Sequence, residues 1–149
     1  MDDRAKRELQ DYLKDRQSGF DFADGIKRQK IYDFIYENFS NTFKDTLEDF
    51  ITKKGVTALY VYKKADLNRN IYSCIRKDQF HHVSKKTALR FALALELNVE
   101  ETERLLNSAG FALNWGNPFD LIIIYHIKNR FYDIISISGV LNDLLGTVL

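Results

Sequence analysis

Cysteine is almost absent. Cys74 stands alone in 149 residues, so no intramolecular disulfide can staple the chain, and a reducing, cytoplasmic setting is expected. One proline and seven glycines are too few punctuators for a fold made of many tight turns, and their scarcity points to an all-α chain. Long hydrophobic runs are also missing. The longest, of which Leu121–Tyr125 is one, span five residues and fall far short of the roughly 20 that a membrane span needs, so no membrane partner is expected. The opening MDDRAKRELQ is charged and leads into no apolar run, unlike a secretion signal. Histidine is scarce as well: His81, His82 and His126 with one cysteine do not make a ligand set at usable spacing, so neither a metal nor another cofactor is expected. There is no Gly-rich phosphate loop and no G-x-S-x-G, and the acids are scattered rather than paired. Nothing near His81 and His82 completes a catalytic set. The chain does not read as an enzyme.

What is present is enough apolar material for a real core: 45% hydrophobic and 13% aromatic residues, in a length that suits one domain with an appendage. Charge is the sharper signal. The overall balance is only +1, but residues 51–90 carry ten Lys or Arg against Asp66 and Asp78. That is a local net charge of +8, flanked by −3 before it and −4 after it. A basic segment between acidic ones is the electrostatic footprint of a nucleic-acid contact surface. A solvated helical face would look the same by composition alone.

Helical periodicity and caps organise the chain. Residues 2–16 read as an exposed amphipathic helix with Leu9, Tyr12 and Leu13 on one side, and 17–25 as a loop. Ile31, Phe34, Ile35, Asn38 and Phe39 repeat at i, i+3, i+4, i+7 and i+8, which predicts a second helix with its aromatic stripe in a core. Ser40 or Asn41 can cap a helix over 42–54, with Gly55 just past its end. Thr57 caps 58–65, Asp66-Leu67-Asn68 form a turn, and Asn68 caps 69–77. Ser84 caps 85–97, Asn98 caps 99–109, and Asn114–Pro118 is a turn. Residues 119–128 are β-branched enough for a strand, but Asn117-Pro118 is a good helix start, so helix is expected. A last helix or pair of turns runs over 132–145, weakened in the middle by Gly139 and ended by Gly146.

Within 50–100, a short helix, a three-residue turn and a second helix follow one another. Inward positions are expected at Val56, Leu59, Ala65, Leu67, Tyr72 and Ile75. Asn68, Arg69, Asn70, Ser73, Arg76 and Lys77 are left outward. These residue types suit DNA: Arg can bridge guanine O6 and N7, Asn can bridge adenine N6 and N7, and Ser or Lys can hold phosphate.

The arrangement resembles the five-helix domain of the Cro and lambda-repressor (Xre-type) family. Gly55-Val56-Thr57, Tyr62-Lys63-Lys64-Ala65, Arg69 through Arg76, and Ser84 to Leu89 carry the likeness. A closer resemblance is to a group of bacterial and phage helix-turn-helix proteins in which YKKADLNR, SKKTAL, ALALELN, LLNSAGFAL, FDLII and YDI occur in this order. It spans residues 42–146. The chain departs from that group at Val83, where a proline is expected, in the aromatic loop Gln79-Phe80-His81-His82, and at Trp115. Residues 1–41 share no motif with it.

The resemblance implies a helix-turn-helix domain over 42–112, an N-terminal helical extension over 1–41 and a C-terminal helical segment over 113–149 packed on the domain. It implies a sequence-specific DNA-binding regulator of a bacterium, phage or mobile element. Double-stranded DNA would be held by Asn68, Arg69, Asn70, Ser73, Arg76, Lys77, Lys85 and Lys86. A homodimer is expected, because one recognition helix reads only a few base pairs. The apolar surplus at Leu121–Tyr125, Ile134, Ile135, Ile137, Val140, Leu141, Leu144 and Leu145 is the expected interface. Two other readings stay open. One is a scaffold that binds a protein partner, with Trp115 as an anchor, as an anti-defence or antitoxin-like factor. The other is RNA binding through the same basic surface.

Overall fold

A computed structural model describes residues 3–15 and 25–149, with the side chains of 15 and 25–28 left aside. The loop expected over 17–25 lies outside the described residues except at Gly25. All regular structure among the described residues is helical, in nine segments. None is long and apolar enough to cross a membrane. The chain divides into two compact units, Met1–Ser40 and Asn41–Leu149.

The first unit holds α1 (Asp3–Asp15) and α2 (Gly25–Asn38). Leu9 on α1 is buried, and Arg4 and Glu8 pair one turn apart at 3.1 Å. The aromatic stripe of α2 is not the core face that its spacing predicts: Phe34 is 66% exposed and Ile31 is also exposed. Ile35 and Phe39 are only partly covered. Periodicity identifies a face, but burial needs neighbouring elements to cover it.

The second unit runs α3 (Phe43–Lys54), α4 (Ala58–Lys64), α5 (Arg69–Lys77), α6 (Lys85–Ala94), α7 (Val99–Ser108), α8 (Pro118–Lys128) and α9 (Ile134–Leu145). Its helices begin where short polar side chains can satisfy free backbone N–H groups. Thr57, Asn68, Ser84, Asn98 and Asn117 all accept such a bond. The cap of α3 is Thr42, not Ser40 or Asn41, because Thr42 and Asp45 form a reciprocal capping box. The helix expected over 85–97 stops at Ala94. Glu96 adopts a left-handed conformation (φ 54°), and the Leu97 N–H returns to the Ala92 carbonyl, a Schellman ending on a non-glycine residue. Asp66 and Arg130 end α4 and α8 in the same way.

Helix α6 is the centre of the unit. Ala88, Leu89, Phe91, Ala92, Leu93 and Ala94 are all buried, and it packs against α4, α7 and α9. Its small residues let these neighbours approach closely, while Phe91 meets Phe43 of α3 at 6.0 Å between ring centres. Helix α8 adds Ile123, Ile124 and Ile127, and α9 adds Ile134, Ile137 and Leu141. On α4 the buried residue is Val61, whereas Leu59, expected inward, is 50% exposed. The covered face of α4 is Ala58, Val61, Tyr62 and Ala65, an i, i+3, i+4, i+7 set from which Leu59 points away.

Candidate nucleic-acid interface

Helix α4 ends in a tight turn. Asp66 takes φ 52°, its N–H bonds to the Lys63 carbonyl at 3.1 Å, and the Leu67 N–H bonds to the Tyr62 carbonyl at 3.1 Å. Asn68 then starts α5 by accepting the Asn70 N–H at 2.8 Å. Arg90 of α6 fixes this turn from behind, donating to the carbonyls of Ala65 and Asp66 at 3.1 Å each. Tyr62 and Tyr72 stack at 5.3 Å across the two helices. Burial raises the Tyr72 phenol above its ordinary pKa, and the ring packs half-covered against the core.

Helix α5 buries Ile75, and Ile71, Leu67 and Tyr72 pack half-covered against the core. Ile71 belongs to this inward set, one turn before Ile75, and was legible from its spacing. Asn68, Arg69, Asn70, Arg76 and Lys77 are exposed, and Ser73 is partly so. These six therefore share the surface of one helix and its cap, although the Asn68 side-chain oxygen is occupied by capping. Cys74 is exposed on the same helix. The loop after α5 holds His81 and His82, and no group of three His, Cys, Asp or Glu that could hold a metal occurs among the described residues.

The two remaining expected contacts are placed differently. The Lys85 ammonium lies 2.6 Å from a carboxylate oxygen of Asp120, which is completely buried at the start of α8. That oxygen also accepts the Asn114 N–H at 2.7 Å, and its twin has no hydrogen-bond partner among the described residues. Lys85 is thus committed to holding α8 on α6 and is not available to phosphate in this arrangement. Lys86 donates to the Thr147 hydroxyl at 3.2 Å and lies over the Phe119 ring.

Other cations of the basic segment are also matched by acids. Lys53 pairs with Asp49 one turn earlier at 3.0 Å, and across the fold Lys54 pairs with Glu101 at 3.7 Å and Lys64 with Glu96 at 3.6 Å. Arg90 approaches the Asp66 carboxylate at 3.8 Å and the Leu149 backbone oxygen at 2.6 Å. Asp49 also takes Arg104 at 3.0 Å, and the hydrogen bond from Lys53 is the largest factor holding its pKa below the ordinary value. Among the described residues of the segment, Lys63, Arg69, Arg76, Lys77 and Lys86 have no ion pair. Three of these five belong to α5, and Lys86 is turned to Thr147 and Phe119.

Trp115 is half-exposed in the turn before α8, with the Lys128 ammonium 5.0 Å from its ring centre. No protein family, curated protein or solved structure matches the chain.

Proposed function

We propose that α4, the turn after it and α5 form a helix-turn-helix, central to a five-helix lambda-repressor-like domain built from α3 to α7. In this reading α5 enters the major groove of duplex DNA, and the protein is a sequence-specific regulator of a bacterium, phage or mobile element. The observation that carries it is the location of the uncompensated charge. Five basic residues of the segment are paired with acids, while Arg69, Arg76 and Lys77 stay free on one short surface helix beside Asn70 and Ser73. Arg69 and Asn70, near the start of α5, carry the donor patterns that read guanine and adenine. Lys63, Arg76 and Lys77 suit phosphate, which positions the protein without reading sequence.

Two copies would read two half-sites. Tyr125, Leu121, Ile135, Leu144 and Leu145 are exposed apolar residues of α8 and α9, and they supply the contact surface for such a pair. The observation that favours a protein partner instead is the exposure of Trp115, Tyr125 and Phe131, residue types enriched at interface hot spots.

A salt titration of duplex binding by fluorescence anisotropy separates the two. With three to four phosphate contacts per protomer, each protomer should contribute about −3 to −4 to the slope of log affinity against log salt, and a bound pair about twice that. Absence of duplex binding at moderate salt would hand the assignment to the protein-partner reading.

A further inference from the structure

Helix α5 is lightly anchored for an element asked to place side chains against base edges. Ile75 is its one fully buried residue. Its front end is held by Arg90 at the turn. Its back end is held by two groups from outside the helix. Lys44 donates its ammonium to the Arg76 carbonyl at 2.9 Å, one of the carbonyls that the end of a helix leaves without an internal partner. Gln79, just past the helix, donates to the Thr42 hydroxyl oxygen at 2.8 Å and to the Asp45 carboxylate at 2.7 Å. The orientation of this amide follows from chemistry: an ionised carboxylate only accepts, so the amide nitrogen must face it.

Asp45 therefore has two tasks. One oxygen accepts the Thr42 N–H at 3.3 Å and closes the capping box of α3, and the other receives Gln79. The first turn of α3 is itself fixed by buried Phe43, Thr46 and Leu47. The back end of α5 is in this way tied to the capped start of α3, distant in sequence, and not only to its own loop.

We infer that Gln79 is a positioning residue that sets the pose of α5 for sequence reading, acting through Thr42 and Asp45 and assisted by Lys44. This rests on the DNA-binding reading above. Base-edge contacts demand placement within about half an ångström, whereas phosphate contacts tolerate small tilts because they are longer-ranged and not tied to one base. Loosening the back end of α5 should thus remove discrimination while leaving general attraction in place.

The test compares the full chain with Gln79→Met, which keeps length but removes both donors, and with Gln79→Glu, which sets two carboxylates against each other. The double change Gln79→Glu/Asp45→Asn restores a hydrogen bond with the roles reversed. Each is titrated against a duplex selected from a random pool and against a scrambled duplex, with thermal unfolding and amide exchange of α5 recorded in parallel. Gln79→Met should weaken the selected duplex about tenfold, the scale of one lost base contact. Binding to the scrambled duplex should stay within about twofold. Amides of α5 should exchange faster, Gln79→Glu should lose more selectivity, and the double change should recover it.

Selectivity in Gln79→Met equal to that of the unaltered chain would overturn the inference. So would a proportional loss on both duplexes that tracks thermal stability, because that is what a purely structural residue would do. An unaltered chain that binds without selectivity would remove the DNA reading itself, an outcome distinct from either.

Discussion

Replacing Lys85 by Ala should destabilise the protein and leave the salt dependence of the proposed DNA binding unchanged. The physical case is the ion pair with Asp120. The Asp120 carboxylate is completely buried, and among the described residues it holds only the Lys85 ammonium at 2.6 Å and the Asn114 N–H at 2.7 Å. Removing one partner of a fully buried pair costs about 3–5 kcal/mol, because the other charge is stranded. The Lys85 side chain retains 29% exposure, so water screens part of the interaction, and a loss of about 2–3 kcal/mol is the better expectation. Asp120→Asn should cost less, about 1–2 kcal/mol, since the amide oxygen can still accept the Asn114 N–H and Lys85 can turn to solvent. The double change Lys85→Met/Asp120→Asn should cost less than the sum of the single changes by about 1 kcal/mol or more. Urea unfolding monitored by far-ultraviolet circular dichroism gives these values from midpoint and slope. In the DNA assay, Lys85→Ala should leave the salt slope unchanged, whereas Lys77→Ala should reduce its magnitude by about 0.9 per protomer. A Lys85→Ala protein as stable as the parent, with a flattened salt slope, would refute the assignment of Lys85 to the fold.

Arg130→Gly should raise stability by about 0.5–1 kcal/mol, because relief of the left-handed strain at φ 55° outweighs the entropy that glycine adds to the unfolded chain; a melting temperature at or below the parent's would contradict this. The folded-state pKa of Asp49 is depressed, chiefly by Lys53. Its contribution is therefore present above the ordinary carboxylate range and lost as pH falls through the folded value, so Asp49→Asn should flatten the acid limb of stability below about pH 4. An acid limb identical in Asp49→Asn would contradict it. Ile135 is 77% exposed on α9, and Ile135→Glu should convert a dimer to a monomer without lowering thermal stability. Light scattering that finds the parent chain monomeric at high concentration, with and without DNA, would remove the dimer.

Local signals in the sequence translated into structure where the physics is local. Thr57, Asn68, Ser84 and Asn98 cap the helices that their positions announce, since a cap needs only its own next turn. Leu59 misled because its hydrophobicity was weighed without the phase of the α4 face that Val61 and Ala65 define. Ile31 and Phe34 misled for another reason: periodicity carries no information on what covers a face. The basic segment was legible as charge but not as free charge. Lys85 meets Asp120 across 35 positions and Gln79 meets Asp45 across 34, and only folding brings such pairs together. The outward set on α5 was within reach of its spacing, because it is the complement of Leu67, Tyr72 and Ile75.

The central claim is that α5 reads DNA sequence, and the most direct measurement is the affinity of Arg69→Ala and Asn70→Ala for a duplex selected by the parent protein, at one fixed salt concentration. Both side chains are exposed near the start of α5, so the fold should survive their truncation. Each change should cost about 1–3 kcal/mol on the selected duplex and relax preference at the base it contacts. Unchanged affinity in both folded variants, or a parent protein that selects no sequence, would contradict the account.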